Sequence, residues 1–203
     1  MKKFFMVTPQ QPKGMLKKQK YQSAGNSLLE YGETCFPIIP VINGYLEQGE
    51  QAQLITVTYD SNDCRRNLET LSEEVAVICA AKDATCAIDS VEVPFDDSVS
   101  AVIHVFQELI NRTDDDDELY ACITYGSKPM PIVLVMALQY SYRLKKNAYI
   151  ECVVYGQIDR SQNPPTARIY DVTALVQLDE IVRLLADKGV ENPEEAIKAI
   201  VEV

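Results

Sequence analysis

Hydrophobic and polar positions alternate between two periods along the chain. Apolar runs rich in β-branched and aromatic residues at 3–7, 53–59, 89–94, 119–124, 149–155 and 168–172 predict strands, several of them apolar enough for a sheet covered on both faces. Between them, apolar residues recurring every three or four positions predict helices at about 34–47, 63–82, 98–111 and 130–146, with two more at 175–187 and 193–201. Alternation of this kind implies parallel βαβ units with right-handed crossovers. The expected fold class is therefore α/β, a three-layer Rossmann-like sandwich with a mostly parallel sheet. Asn163-Pro164-Pro165 leaves room for a turn and none for a helix, so the strand at 168–172 is expected to return antiparallel as a hairpin. We expect one Rossmann domain over 1–173 and a C-terminal helical extension over 174–203. The helical pattern runs to the last residues, Ile200-Val201-Glu202-Val203, as in a stand-alone protein or a piece of a longer one.

One junction in this pattern carries chemistry. Cys122-Ile123-Thr124-Tyr125-Gly126-Ser127-Lys128-Pro129 joins a strand to an apolar helix. Gly126 can adopt positive φ and let the backbone approach a ligand, Ser127 can cap the helix, and Pro129 suits a first turn that needs no N–H. The free N–H groups and positive helix end then face an anion, with Lys128 beside them. Thr-x-Gly-x-Lys by itself also describes an ordinary strand-to-helix turn.

Charge sharpens this reading. The net charge of −11 argues against duplex nucleic acid as a partner. Lys2, Lys3, Lys13, Lys17, Lys18 and Lys20 nevertheless give the first 29 residues +6 with no acid, which leaves −17 for the rest of the −11 chain. A basic island in an acidic chain suits one small anionic ligand, and a solvated loop kept soluble by its lysines fits the same residues. Four of these lysines follow the first strand, where open α/β sheets bind ligands. Candidate ligand-binding residues are therefore Thr8, Pro9, Gln10, Lys13 and Tyr21 from this end, with Thr124, Tyr125, Gly126, Ser127, Lys128 and Pro129 from the loop.

Other classes of protein are disfavoured. At 203 residues and 47% hydrophobic content the chain suits one soluble domain with appendages. Its longest apolar run, 130–138, is far short of a membrane span, and the N-terminus lacks a signal peptide, so the chain reads as cytoplasmic. Six scattered cysteines without a C-x-x-C pair indicate neither a disulfide framework nor a zinc site. The acidic run Asp114, Asp115, Asp116, Asp117 points its carboxylates in different directions at the edge opposite the loop, and reads as solvated, with no metal expected. His104, the single histidine, has no nucleophile nearby and reads as a partly buried helix residue. Neither G-x-G-x-x-G nor a P-loop occurs, so no NAD or ATP cofactor is expected.

Taken together, these residues resemble the CRISPR-associated Rossmann-fold (CARF) proteins, in particular the branch named for a D-x-T-H-G motif. Ile123-Thr124-Tyr125-Gly126-Ser127-Lys128 resembles that family's T-x-G-x-K ligand loop, followed by an apolar helix at 131–140. Tyr155-Gly156 at a strand end and Asp171-Val172-Thr173-Ala174-Leu175 opening a helix resemble its later landmarks. The likeness covers about the last 90 residues in order and spacing. Two positions depart from it, since Cys122 and Tyr125 stand where the motif has Asp and His.

The resemblance implies a receptor for cyclic oligoadenylate, the messenger of type III CRISPR antiviral signalling. Cyclic tetra-adenylate is the expected ring, because it is the commonest in that family. It also implies a homodimer that presents two loops to one symmetric ligand, and an effector domain or protein driven through the helices at 175–201. The chain itself lacks the R-x4-H pair of the RNase effectors that accompany such sensors. Tyr21 and Tyr125 can stack on adenines or serve in packing and hydrogen bonding. A ring nuclease is the alternative: the ribose 2′-OH can attack its own phosphodiester when held in line, with Lys128, Ser127, Thr8 and Lys13 stabilising the charge. Cys122 and Tyr125 leave no general base evident at the loop, which favours the sensor. A flavodoxin-like nucleotide-binding domain, recognisable by a yellow flavin, is the more distant reading.

Overall fold

The computed structural model describes residues 1–201. In chain order it contains β1 (Lys2–Val7), β2 (Gln19–Ala24), a 3₁₀ turn (Ser27–Leu29), β3 (Glu33–Thr34), α1 (Ile38–Tyr45), β4 (Gln51–Tyr59), α2 (Asn62–Lys82) and β5 (Thr85–Val93). There follow α3 (Val99–Ile110), β6 (Glu118–Cys122), α4 (Pro129–Leu144), β7 (Tyr149–Asp159), β8 (Thr166–Asp171), α5 (Thr173–Asp187) and α6 (Pro193–Val201). All eight strands form one sheet in the order β3-β2-β8-β7-β6-β1-β4-β5. The five strands from β7 to β5 are parallel, and β8 returns antiparallel to β7 as a hairpin. The α/β class and the mostly parallel sheet are those the hydrophobic pattern predicts.

Each face of the sheet carries its own core. On β1, Phe4 and Met6 point to one side and Phe5 and Val7 to the other, as the two-residue period of a strand requires. The first side packs Leu54, Tyr120 and Cys152 against Ile38, Ile39 and Ile42 of α1 and Leu71, Val75 and Ile78 of α2. The second packs Ile55, Val57 and Val153 against Val105 and Leu109 of α3, Val133, Leu134 and Ala137 of α4, and Val176 of α5. Three layers result.

Several elements differ from expectation for identifiable reasons. β2 extends the sheet beyond β8, although only Tyr21 in its sequence QKYQSA is buried and the pattern gives no strand signal. Glu33 and Thr34 pair with β2, so α1 begins only at Ile38, after Pro37. Ser127 does not cap α4; its N-cap is Lys128, with no side-chain hydrogen bond to the first turn. His104 is exposed on α3 rather than partly buried.

The opposite edge of the sheet also corrects the charge reading. Lys3 is 3% exposed and reaches the Arg112 carbonyl at 2.6 Å, Asp114 at 2.8 Å and Asp117 at 2.9 Å. Lys2 is held by Glu50 at 2.9 Å and the Tyr45 carbonyl at 2.8 Å. Two of the six basic charges are thus consumed at the amino ends of the strands, far from the loop after β6. Asp117 is likewise buried, so the acidic run is not wholly solvated.

α5 lies against the second face, joined to α4 by Arg143, which contacts Asp179 and Glu180 at 2.7 Å each. Between α4 and α5 runs an apolar groove lined by Ile123, Ile132, Val135, Met136, Tyr155 and Leu175. Among the described residues no helix is long and apolar enough to cross a membrane. The last two residues of the helical extension predicted to 203 lie outside the described residues.

A candidate anion and nucleotide cleft

β1 and β6 are neighbours whose chains leave in opposite directions, β1 towards the elements that lead to α1 on one face and β6 into α4 on the other. Such a divergence opens a crevice at the carboxyl ends of the strands, the usual ligand site of open α/β sheets. Here it is a cleft of about 390 Å³ lined by Gln10, Gln11 and Pro12 after β1 and by Thr124, Tyr125 and Gly126 after β6. It adjoins a second hollow of about 290 Å³ whose walls include Lys17, Tyr21, Gly156 and Arg160. The two share Gln11, Thr124 and Tyr125.

Local bonding fixes the loop after β6. The Gly156 N–H donates to Thr124 Oγ1 at 2.8 Å, and the Cys122 thiol donates to the same oxygen at 3.1 Å. Thr124 therefore ties the loop to β7 by accepting two hydrogen bonds at Oγ1. Cys122 is fully buried and its thiol is pushed up to about 11 by desolvation. Gly126 has φ +106°, and a Cβ there would sit 2.9 Å from Met130 Cβ and 3.1 Å from Val7 Cγ1. Only glycine satisfies both conditions. Among the described residues the N–H groups of Gly126, Ser127 and Lys128 donate to no atom of the chain, while Met130 N–H donates to the Ser127 carbonyl at 3.0 Å. With no side-chain cap on α4, these donors and the exposed Lys128 side chain lie at the positive end of the helix.

The predicted residues divide into those the cleft gathers and those it does not. Gln10, Thr124, Tyr125 and Gly126 line it directly, Tyr21 lines the adjoining hollow, and Ser127, Lys128 and Pro129 continue the loop into α4. Thr8 is fully buried, its hydroxyl 2.9 Å from that of Thr58, so it supports the floor without reaching the opening. Pro9 is buried too, its carbonyl accepting from Asn67 Nδ2 at 2.8 Å. Lys13 is exposed on the loop and lines neither hollow. Tyr125 donates to the Cys35 carbonyl at 3.0 Å, and burial raises its phenol well above the ordinary value. Tyr21 is 4% exposed and pushed up to about 12 by desolvation. Tyr21 is therefore part of the first core, and Tyr125 packs against both cores while hydrogen-bonding to Cys35.

Three groups at this site escape the sequence pattern. Asp97, after β5, accepts from the Ser127 hydroxyl at 2.5 Å, and Tyr59 at the end of β4 lies 3.0 Å from the same hydroxyl. A carboxylate therefore stands beside the loop, contrary to the expectation that no general base is near it. Arg160 reaches the second hollow from the β7–β8 turn. None of these is near the loop in sequence, and only the sheet order brings them together. Among the described residues no three His, Cys, Asp or Glu side chains converge on a metal-sized site.

Fold and cleft together define an α/β protein with a crevice where β1 and β6 diverge. No family model matches the chain. A stretch of 79 residues, 39% of this chain, is 28% identical to CRISPR-associated protein MJ1674 of Methanocaldococcus jannaschii, and spans 12% of that protein's length.

Proposed function

We propose that the chain is a CARF-type receptor for cyclic oligoadenylate in type III CRISPR signalling, with cyclic tetra-adenylate as its ligand. The observation that carries this reading is the cleft between β1 and β6, where Gly126 begins a run of unbonded N–H groups continued beyond the lining by Ser127 and Lys128, and Gln10 and Gln11 contribute amide side chains. Phosphates suit the first set and bases the second. Similarity to a CRISPR-associated protein supports the same biological setting.

The functional unit is a homodimer with two clefts facing one ring across a two-fold axis. The apolar groove beside Ile123 and Ile132, contiguous with the loop, supports such a contact. In this scheme residues 1–173 form the receptor domain, and the helices at 174–203 transmit ligand binding to an effector. The test is incubation with cyclic tri-, tetra- and hexa-adenylate, following affinity, dimer formation and linear products together. Tight binding of the four-membered ring with little cleavage is expected.

A ring nuclease is the second reading, and the contact of Asp97 with Ser127 favours it. In-line attack of a ribose 2′-OH on the adjacent phosphorus would form a 2′,3′-cyclic phosphate and break the P–O5′ bond. Lys128 would stabilise the developing charge. Rapid conversion to such products in EDTA, lost in Ser127→Ala, would establish this reading over the first.

A further inference from the structure

The amide groups of Gln10 and Gln11 are held in an unusual balance. Gln10 Nε2 and Gln11 Oε1 are both buried without a hydrogen-bond partner, and they are the buried side-chain polar atoms so left among the described residues. Both residues line the cleft beside Thr124, Tyr125 and Gly126. Their backbone, by contrast, is clamped. Asn67 of α2, itself 3% exposed, donates through Nδ2 to the Pro9 carbonyl at 2.8 Å and to the Gln11 carbonyl at 3.0 Å. Arg66 adds a longer contact to the Gln11 carbonyl at 3.3 Å.

A fixed backbone carrying an unmatched donor on one residue and an unmatched acceptor on the next leaves only side-chain turns to be made when a ligand arrives. Buried amides normally find partners, so this pair sits where a partner from outside completes it. The complement is a flat group with an acceptor and a donor at neighbouring positions. Adenine offers that arrangement at N7 and the N6 amino group, whereas guanine presents two acceptors, N7 and O6, on the same edge.

We propose that Gln10 and Gln11 form a base-reading pair, in which Gln10 Nε2 donates to N7 of an adenine and Gln11 Oε1 accepts from its N6 amino group. This rests on the cyclic oligoadenylate reading of the cleft and adds to it a source of base selectivity separate from the phosphate-binding loop. In this proposal each amide turns about its terminal torsion on binding to present its unmatched atom to the ligand, while the Asn67 clamp holds the backbone.

The experiment compares cyclic tetra-adenylate with two analogues, one built from 7-deaza-adenosine and one from purine riboside, which lacks the 6-amino group. Each is titrated calorimetrically into the parent, Gln10→Ala and Gln11→Ala proteins. The parent should bind each analogue roughly tenfold more weakly than the adenylate ring, as expected for one lost hydrogen bond in a buried site. In Gln10→Ala the 7-deaza penalty should vanish while the purine penalty remains, and in Gln11→Ala the reverse, the pattern of two independent residue-to-atom couplings. Should either variant fail to fold, the analogue series on the parent still decides. A parent that binds all three rings equally, yet loses affinity in Lys128→Ala, overturns the base-reading pair and leaves the receptor standing. A parent that binds none of the cyclic tri-, tetra- and hexa-adenylates overturns both.

Discussion

Asp97 accepts a hydrogen bond from the Ser127 hydroxyl at 2.5 Å, although β1 and β4 lie between the strands that carry them. The contact places a negative charge beside the loop proposed to hold phosphate. Asp97→Asn should keep the hydrogen bond and remove the charge. We expect two- to fivefold tighter binding of cyclic tetra-adenylate at low salt, about 0.5–1 kcal/mol for an exposed charge, with the gain fading as salt rises. Weaker binding accompanied by loss of ring cleavage would instead give Asp97 a part in the chemistry.

Lys128 is exposed and forms no ion pair among the described residues, so its loss should leave folding untouched. Lys128→Ala should weaken ring binding by about 1.5–3 kcal/mol per site with an unchanged melting temperature. Gly126→Val should behave differently. Its positive φ and the 2.9 Å approach to Met130 Cβ predict a stability loss of about 1–3 kcal/mol, measurable by urea unfolding in the absence of any ligand.

Lys3 tests the separation between the two ends of the sheet. Lys3→Met leaves the Asp117 carboxylate, which is 2% exposed, to the N-terminal ammonium at 3.2 Å and the Asp114 N–H at 2.7 Å, and should cost about 1–3 kcal/mol of stability. Ring affinity of the folded variant should match the parent. A selective loss of affinity would return Lys3 to the ligand site.

Acid should loosen α5 before the sheet. Hydrogen bonding to Arg183, assisted by Arg143 and opposed by desolvation, holds the Glu180 carboxyl down to about 2. A carboxyl depressed in the folded state contributes stability that is present above its ordinary value of 4.5 and is lost as pH falls from there towards 2. Asp114, held below its ordinary range by Lys3, acts in the same direction. Urea midpoints should therefore fall with pH in this window, and Glu180→Gln should be less stable at neutral pH with a shallower acid decline.

How much of this was legible follows from where each signal resides. The apolar runs of β1, β4 and β6 announce a sheet covered on both faces, because successive side chains along 3–7, 54–59 and 119–122 are buried whichever way they point. The turn at Gly126 was legible because its backbone geometry constrains residue type. β2 was not, since one buried tyrosine among polar residues carries no period. Counting lysines located a basic segment but could not separate Lys2 and Lys3, which point to the far edge, from those after β1. Asp97, Tyr59 and Arg160 meet the loop only through strand order, a long-range property. The unmatched amides of Gln10 and Gln11 depend on burial, which composition does not report.

The walls of the cleft differ in how freely they can change over generations. At Gly156 a Cβ would press within 2.3 Å of Pro37 Cγ, at the start of α1, and within 3.3 Å of the Thr124 hydroxyl. Any larger residue there must shift Pro37 or the strand itself, so substitution at Gly156 is costly. The loop after Gln11 is bound by no such neighbour: Pro12, Lys13, Gly14 and Met15 are exposed. Novelty in what this protein recognises is therefore free to accumulate along one rim while the other stays frozen, and related proteins should share the β7 side of the site long after their β1 loops have diverged.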